Sequence, residues 1–215
     1  AINQLRLLGL QITETGCQAC ASPVGRVIAY SRNKIKALVP ILSQEIENLR
    51  ENIRAVVIAD FEKTSATSAE VEHLLDEEAG GAIAAFKQLV NNSPTDWLNP
   101  VLLTGSSVLV DDDIAEQLQS SAEEWLRARD IDVTLSREPF DGFDLLNGSG
   151  SQWSPRVYVE MITDLFQAGV TRCLVGTRGL LGEGWDANKI NVLIDLTTVT
   201  TSMTVNQLRG RSFRL

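Results

Sequence analysis

The last ten residues, NQLRGRSFRL, carry side chains suited to chemistry on a phosphate. In a helix, Gln207, Arg211 and Arg214 share one face, because they stand at positions i, i+4 and i+7. Two guanidinium groups on one edge can stabilise a phosphate whose negative charge grows during transfer. The alternative is a solvated face, since arginine-rich terminal helices are often exposed.

A glycine-rich segment, VGTRGLLGEGWD at residues 175–186, is the second candidate. Its glycines allow positive φ and let backbone N–H groups approach a phosphate or a sugar closely. Thr177 adds a hydroxyl group, and Asp186 adds a carboxylate that can accept a hydrogen bond from a ribose hydroxyl. The alternative is a flexible turn, because glycine-rich turns are common.

The tryptophans offer aromatic faces on which nucleic-acid bases stack in single-strand binding proteins. Trp185 has a context that supports stacking, because it lies inside the glycine-rich segment. A packing role is nevertheless favoured for Trp185.

A metal site is not expected from the cysteines and acidic residues. Cys17 and Cys20 form one CxxC pair, but a structural zinc site needs about four ligands, and the chain adds only Cys173 and His73. Further ligands would have to come from an upstream part of a longer parent protein. The acidic run 111–113 stands where carboxylates cap a helix, and capping is favoured over cation binding there.

The elements that position these residues alternate between helices and strands. A helix is predicted from Ser31, its N-cap, with a kink at Pro40, and further helices over 68–90, 111–129 and from Pro155 to Gly169. The predicted strands are AVVIADF, NPVLLTG, IDVTL, RCLVGT and INVLIDL. Residues 136–152 are predicted as a loop, and MTVNQLRGRSFR as a closing helix.

This order predicts an α/β fold of three layers, with a mainly parallel sheet covered by helices on both faces. Ligands then bind at the carboxyl ends of the strands, so the loops after Asp60, Leu103, Val175 and Leu196 are the expected sites. Residues 1–30 show weak periodicity and are interpreted as a linker or the remnant of a preceding element.

Length, composition and charge limit the classes of protein to which the chain can belong. The chain has 215 residues, of which 44% are hydrophobic, and this suits a single domain. Its net charge of −9 argues against strong nucleic-acid binding by charge alone. No apolar run reaches the roughly 18 residues of a membrane span, and three cysteines are too few for a disulfide framework. A soluble, cytoplasmic protein is expected.

Together, the two segments resemble the superfamily-two helicases. Thr177 to Asp186 matches their glycine-rich motif V, and Gln207 to Arg214 matches their motif VI, QxxGRxxR, completely. The variant GLLGEGWDA is most similar to the DEAD/DEAH and type III restriction-subunit branch. AVVIADFE resembles motif IV, and LLTGSS stands in the place of motif IVa. The resemblance covers residues 31–215, which would form a C-terminal RecA-like domain of the P-loop NTPase type, truncated after motif VI.

The resemblance implies a role for each matched residue. Arg211 and Arg214 would be arginine fingers that reach the γ-phosphate of ATP, with Gln207 beside them. Gly184 and Asp186 would contact the nucleotide and its ribose.

Nucleic-acid contacts are implied as well. Thr177 and Arg178 would contact the nucleic-acid backbone, and Gly105 and Ser106 would do so from motif IVa. DNA is the polymer expected by analogy, with RNA as the alternative.

The half of such a motor that binds the phosphates of ATP is absent from the sequence. No lysine follows a glycine, so the Walker A motif GxxxxGK[ST] is missing. The acidic run 76–79, DEEA, follows a helical stretch and is interpreted as a helix surface, not a Walker B motif. ATP and Mg²⁺ would therefore bind mainly on an N-terminal RecA-like half of the same parent chain. The isolated fragment is not expected to hydrolyse ATP.

The alternative functional classes are a degenerate RecA-like module and a dehydrogenase. A degenerate RecA-like module would bind a partner or nucleic acid without turnover. The complete set of Gln207, Arg211 and Arg214 argues against such a loss of catalytic function. A dehydrogenase would need GxGxxG after its first strand and an acidic residue about 20 positions later, and no such motif occurs. The leading prediction is the second motor domain of an ATP-dependent DNA helicase or translocase.

Overall fold

The computed structural model describes residues 4–5, 8, 10–13, 16–19, 32–60, 81–105, 108–181, 185 and 187–197. Within them, seven strands form one sheet: β3 (Ala55–Ala59), β4 (Pro100–Leu103), β5 (Val108–Val110), β6 (Thr134–Phe140), β7 (Phe143–Ser149), β8 (Cys173–Thr177) and β9 (Val192–Asp195). Two further strands, β1 (Leu10–Thr13) and β2 (Gly16–Ala19), pair with each other in an antiparallel hairpin.

The sheet has the order β6-β7-β5-β4-β8-β3-β9 and mixes two kinds of pairing. Strands β4, β8, β3 and β9 are parallel to one another. Strands β5, β7 and β6 extend the β4 side by antiparallel pairing. The predicted α/β class with a largely parallel core is therefore confirmed, while the antiparallel extension was not predicted.

Helices cover both faces of this sheet. They are α1 (Arg32–Lys36), α2 (Leu38–Leu49), α3 (Ala82–Val90), α4 (Ser93–Asp96), α5 (Asp112–Ala128), α6 (Pro155–Ala168) and α7 (Arg178–Leu181), with a 3₁₀ turn at Arg50–Asn52. Because side chains alternate along a strand, Val56 and Ile58 of β3 pack with residues of α5 and α6, whereas Val57 packs with residues of α2 and α3. All five residues of β3 are buried, as expected for a strand covered on both sides.

Residues 136–152, predicted as a loop, form most of a hairpin instead. Strands β6 and β7 pair in register around a two-residue turn, Asp141-Gly142. Both turn residues have positive φ, 53° and 81°, as a type I′ turn requires, and Asp-Gly is a preferred pair for that turn. The prediction of IDVTL as a strand was correct only at Thr134 and Leu135.

The helices predicted from Ser31, over 111–129 and from Pro155 to Gly169 were confirmed with local differences, and the predicted N-cap Ser31 itself lies outside the described residues. Helix α6 ends at Gly169, whose φ of 91° turns the chain so that the N–H of the next residue, Val170, reaches the carbonyl group of Leu165. The first predicted helix is divided at Ala37 into α1 and α2. Pro40 explains the division, because proline has no N–H to donate to the carbonyl group of Lys36.

Two predicted helices are only partly described or not described. The helix expected over 68–90 is seen as α3, and its earlier part, which includes the acidic run 76–79 and His73, lies outside the described residues. The closing helix over MTVNQLRGRSFR also lies outside them. No helix in the described ranges is long and apolar enough to cross a membrane.

Candidate functional site

The carboxyl ends of the four parallel strands meet at one edge of the sheet, as the sequence predicted. Asp60 follows β3, Thr104 and Gly105 follow β4, and Leu196 follows β9. Strand β8 ends at Thr177 and passes directly into α7, which begins at Arg178. The four segments selected from the sequence therefore share this edge.

Thr177 and Arg178 lie at the centre of this edge. Thr177 pairs with Ala59 of β3, and the preceding Gly176 pairs with Ile58 on one side and Leu103 on the other. Gly105 is exposed and stands two positions after Leu103. It therefore follows β4, the strand that neighbours β8 and its last residue, Thr177. The motif V-like and motif IVa-like segments are thus neighbours.

Gly176 is required for packing and not for a positive φ. A Cβ atom at this position would lie 2.7 Å from Leu181 Cδ1 and 3.2 Å from the carbonyl oxygen of Leu103. Gly179 has no such constraint, since the nearest atom to a Cβ there would be Thr177 Oγ1 at 3.9 Å. The first glycine of the segment therefore lets α7 fold back tightly onto β8.

Trp185 anchors the segment that follows α7. Its side chain is 7% exposed and belongs to the core cluster on the α5 and α6 face. The indole Nε1–H donates a hydrogen bond of 2.8 Å to Thr163 Oγ1 in α6, which satisfies its buried donor. The favoured packing role is confirmed.

Helices α6 and α1 brace two parts of this edge. The buried Tyr158 hydroxyl donates to the carbonyl oxygen of Thr104 over 2.8 Å, which fixes the end of β4. From the other face, Lys34 of α1 donates to the carbonyl oxygen of Leu196 over 3.0 Å. These contacts hold two of the segments that surround the candidate site.

A groove of about 450 Å³ runs between α6 and the segment after β8. Its floor is apolar, with Val159, Leu180 and Trp185, and its rim carries Arg156, Glu160 and Asp164 among other residues. Gly179 and Leu180 of α7, which follow Arg178 in the sequence, also line the groove. It gives the carboxyl edge a concave surface with both apolar and charged parts.

The other predicted site residues lie outside the described residues. They are Ser106, Gly184, Asp186, Gln207, Arg211 and Arg214. Cys20 is also outside, and Cys17 is an exposed free thiol, so the zinc interpretation stays untested.

The run 111–113 caps helix α5, as favoured from the sequence. Asp111 is the N-cap residue, and its carboxylate accepts a hydrogen bond of 3.1 Å from the N–H of Asp112. The carboxylates of Asp111, Asp113 and Asp96 converge, with one oxygen of each within 4.8 Å of the others. Burial, first, and the charge of Asp113, second, raise the pKa of Asp111 to about 6.

We expect Asp111→Asn to flatten the dependence of stability on pH. The folded-state pKa is raised above the unfolded value of 3.8, so the folded protein binds this proton more tightly. The resulting stabilisation is present below pH 3.8 and is lost as the pH rises through about 6. Asparagine keeps the N-cap but does not titrate. The free energy of unfolding, measured by urea denaturation, should therefore fall less between these pH values in the variant.

The matched control is Glu116→Gln, which changes an exposed carboxylate of the same helix that does not contribute to the pKa shift of Asp111. The free energy of unfolding of the control variant should depend on pH as that of the wild type does. A slope in Asp111→Asn equal to that of the wild type would contradict the prediction. Some slope should persist in the variant, because burial also raises the pKa of Asp96.

A second charged region was not anticipated from the sequence. Arg54 and Arg172 stand immediately before β3 and β8, at the amino edge of the parallel strands. The signal was an arginine directly preceding each of two buried strands, in RAVVIA and RCLVGT.

No family model, no curated protein and no solved structure matches this chain.

Proposed function

We propose that this chain is the second RecA-like motor domain of a superfamily-two helicase or translocase that acts on DNA. In this role it supplies Arg211 and Arg214 as arginine fingers, with Gln207 beside them, to ATP and Mg²⁺ held mainly by an N-terminal RecA-like half. Gly184 and Asp186 contact the nucleotide. Thr177, Arg178, Gly105 and Ser106 contact the nucleic-acid backbone.

The observation that carries the proposal is the position of the motif V-like segment. It leaves β8 at the carboxyl edge of a parallel core in which the first strand, β3, lies between the last two, β8 and β9. In open α/β sheets, ligands bind at the carboxyl ends of strands where the strand order reverses. Thr177 and Arg178 stand beside that point.

The contacts around this segment also suit a motor domain. Gly176 brings α7 close to β8, and Trp185 fixes the chain after α7 to α6. A surface that must transmit closure of a cleft to a bound polymer needs backbone segments held on rigid elements. Gly105, on the neighbouring strand, adds an exposed backbone position for a phosphate contact.

Polymer-stimulated ATPase activity of the full-length protein that contains this chain tests the proposal. We expect single- or double-stranded DNA to stimulate the rate, and Arg178→Gln to raise the DNA concentration for half-maximal stimulation about tenfold, because one phosphate contact is lost. The slope of the logarithm of the DNA-binding constant against the logarithm of the salt concentration should become smaller by about one.

Arg127→Gln, at the exposed end of α5, is the matched control and should behave as wild type. Stimulation by RNA alone would reassign the polymer. ATP hydrolysis without any polymer response, or no hydrolysis, would favour a module that binds without turnover.

A further inference from the structure

Four polar residues form a row at the amino edge of the parallel strands. Pro100, Cys173, Ala55 and Val192 are register partners across β4, β8, β3 and β9. The residues directly before them are therefore also neighbours, and these are Asn99, Arg172, Arg54 and Asn191. Adjacent strands lie about 4.8 Å apart, so the row places two arginines side by side.

The two arginine side chains leave the sheet on the same face. Two positions later in each strand, Val56 and Leu174 both belong to the core cluster beneath α5 and α6. Side chains alternate along a strand, so Arg54 and Arg172 share that face. The arrangement brings like charges together, which is destabilising when nothing neutralises them.

Neither arginine forms an ion pair with a carboxylate among the described residues. The ion pairs among the described residues join Lys87 to Asp141, Arg129 to Asp164 and Arg137 to Asp144. The Nε atoms of Arg54 and Arg172 are buried and have no hydrogen-bond partner in the part of the chain that the structure describes.

The donors that Arg54 does use reach only carbonyl oxygens. Its Nη1 donates to Glu51 over 3.1 Å and to Ile53 over 2.8 Å. Burial, first, and the charge of Arg172, second, lower the pKa of Arg54. Both effects disfavour its cationic form, and a bound anion would oppose them, because a nearby negative charge favours the cation.

A comparison within the chain shows what is missing around Arg172. The guanidinium of Arg129 lies 4.1 Å from the ring centroid of Trp125 and also donates to the Asp164 carboxylate over 2.8 Å. Arg172 lies 5.5 Å from the ring centroid of Trp97 without an equivalent carboxylate among the described residues.

The acidic residue next to Trp97 is engaged elsewhere. Asp96 belongs to the acidic cluster with Asp111 and Asp113 at the start of α5. Trp97 itself is 36% exposed, so the stacked Arg172 stands at the protein surface, where a ligand can enter.

We propose that Arg54 and Arg172 form a binding site for a phosphate dianion, either free or as a phosphate monoester. A dianion neutralises both guanidinium groups, and its oxygens accept the paired N–H donors that guanidinium presents. A single carboxylate would leave one positive charge uncompensated. This site lies at the opposite edge of the sheet from Thr177 and Arg178, so it is independent of the proposed motor function.

Neighbouring residues hold Arg54 in position for this role. Its backbone N–H donates to Asn191 Oδ1 over 2.7 Å, and Asn191 Nδ2 donates to the carbonyl oxygen of Asn52 over 2.7 Å. Gly169 leaves room for the guanidinium, since a Cβ there would lie 2.7 Å from Arg54 Nη2. The side chain is therefore confined before a ligand arrives, which lowers the entropic cost of binding.

Calorimetric titration of the 215-residue chain with inorganic phosphate, at constant ionic strength, tests the proposal. Saturable binding with one site is expected, and Arg172→Gln should weaken it at least tenfold, because one of two charge-assisted contacts is lost. Arg172→Lys keeps the charge but loses the fork of donors, and it should also weaken binding. Arg129→Gln is the matched control, and its affinity for phosphate should equal that of the wild type.

Ribose 5-phosphate distinguishes the two sources of the phosphate group. Equal affinity for both ligands would identify phosphate alone as the determinant, and tighter binding of the ester would identify a phosphate monoester. Absence of saturable binding by the wild type, or equal affinity in wild type and Arg172→Gln, would overturn the proposal.

The stability of the ligand-free variants gives a second readout. Without phosphate, Arg172→Gln should unfold at the same urea concentration as the wild type or at a higher one, because repulsion between Arg54 and Arg172 is relieved. Phosphate should raise the midpoint of the wild type but not that of the variant. A variant that is destabilised in the absence of phosphate, with no phosphate effect on the wild type, would show that the arginines are structural.

Discussion

Arg211→Ala in the full-length protein should reduce the polymer-stimulated rate of ATP hydrolysis by roughly 10³-fold or more. In the proposed motor, the Arg211 guanidinium stabilises the charge that develops on the transferred phosphate, and alanine provides no replacement. Arg211→Lys should recover only part of the rate, because an ammonium group lacks the planar fork of donors. Steady-state kinetics with saturating DNA measure the effect.

Arg209→Ala is the control for this experiment. In a helix, Arg209 stands two positions from Arg211 and faces away from Gln207, Arg211 and Arg214. Its rate should stay within about twofold of the wild type, a change below roughly 0.4 kcal/mol in activation free energy. Equal rates for the two alanine variants and the wild type would remove the arginine-finger assignment and leave binding without turnover as the better hypothesis.

Trp185→Ala should lower the free energy of unfolding by about 3–5 kcal/mol. The indole ring is buried in the core beneath α5 and α6, and its removal leaves a cavity that the surrounding helices can fill only in part. Urea denaturation of the chain measures the loss. Because Trp185 ties the motif V-like segment to α6, the same variant should also impair polymer-stimulated hydrolysis in the full-length protein.

Two smaller substitutions separate packing from hydrogen bonding at this position. Trp185→Phe keeps an aromatic ring in the cavity, and Thr163→Val removes the acceptor while keeping a similar shape. Each should cost about 1–3 kcal/mol, with the loss in Thr163→Val arising from an unsatisfied indole N–H. A loss below about 1 kcal/mol in Trp185→Ala would contradict the packing role and return base stacking to consideration.

The parts of the fold that sequence could predict are those buried on both faces. Strand β3, AVVIA, and strand β8, CLVGT, are short apolar runs between polar boundaries, and such runs in alternation with amphipathic helices indicate a parallel core. Helix α6 was placed to within a residue at its carboxyl end, because Gly169 supplies the left-handed cap.

The hairpin was missed because its residues do not show the burial pattern of a core strand. In β6, only Leu135 is buried, and the other six residues are exposed. An edge strand of this kind shows no alternation of apolar and polar residues. The serine and glycine residues of segment 136–152 therefore suggested a loop. The usable signal was Asp141-Gly142 between two runs of equal length, which specifies a two-residue turn.

The residues of the candidate sites could likewise be predicted from the sequence only in part. Thr177 and Arg178 could be placed at the carboxyl edge because a strand directly precedes them. Arg54 and Arg172 could not be paired from sequence, because their proximity depends on the strand order that sets β3 beside β8. Strand order is a non-local property that the separate segments do not encode.

The central position of β3 has a consequence for biosynthesis. Its partners are β8 and β9, which begin at residues 173 and 192, so a growing chain must carry β3 without either neighbour until these much later strands have been made. Sequence-distant pairings of this type slow folding, and an unpaired apolar strand is prone to intermolecular association. The β6–β7 hairpin can form from adjacent residues much earlier. Folding of this chain is therefore expected to finish only after β9 emerges from the ribosome, and nascent chains that stall before β9 should depend on chaperones that cover the AVVIA strand.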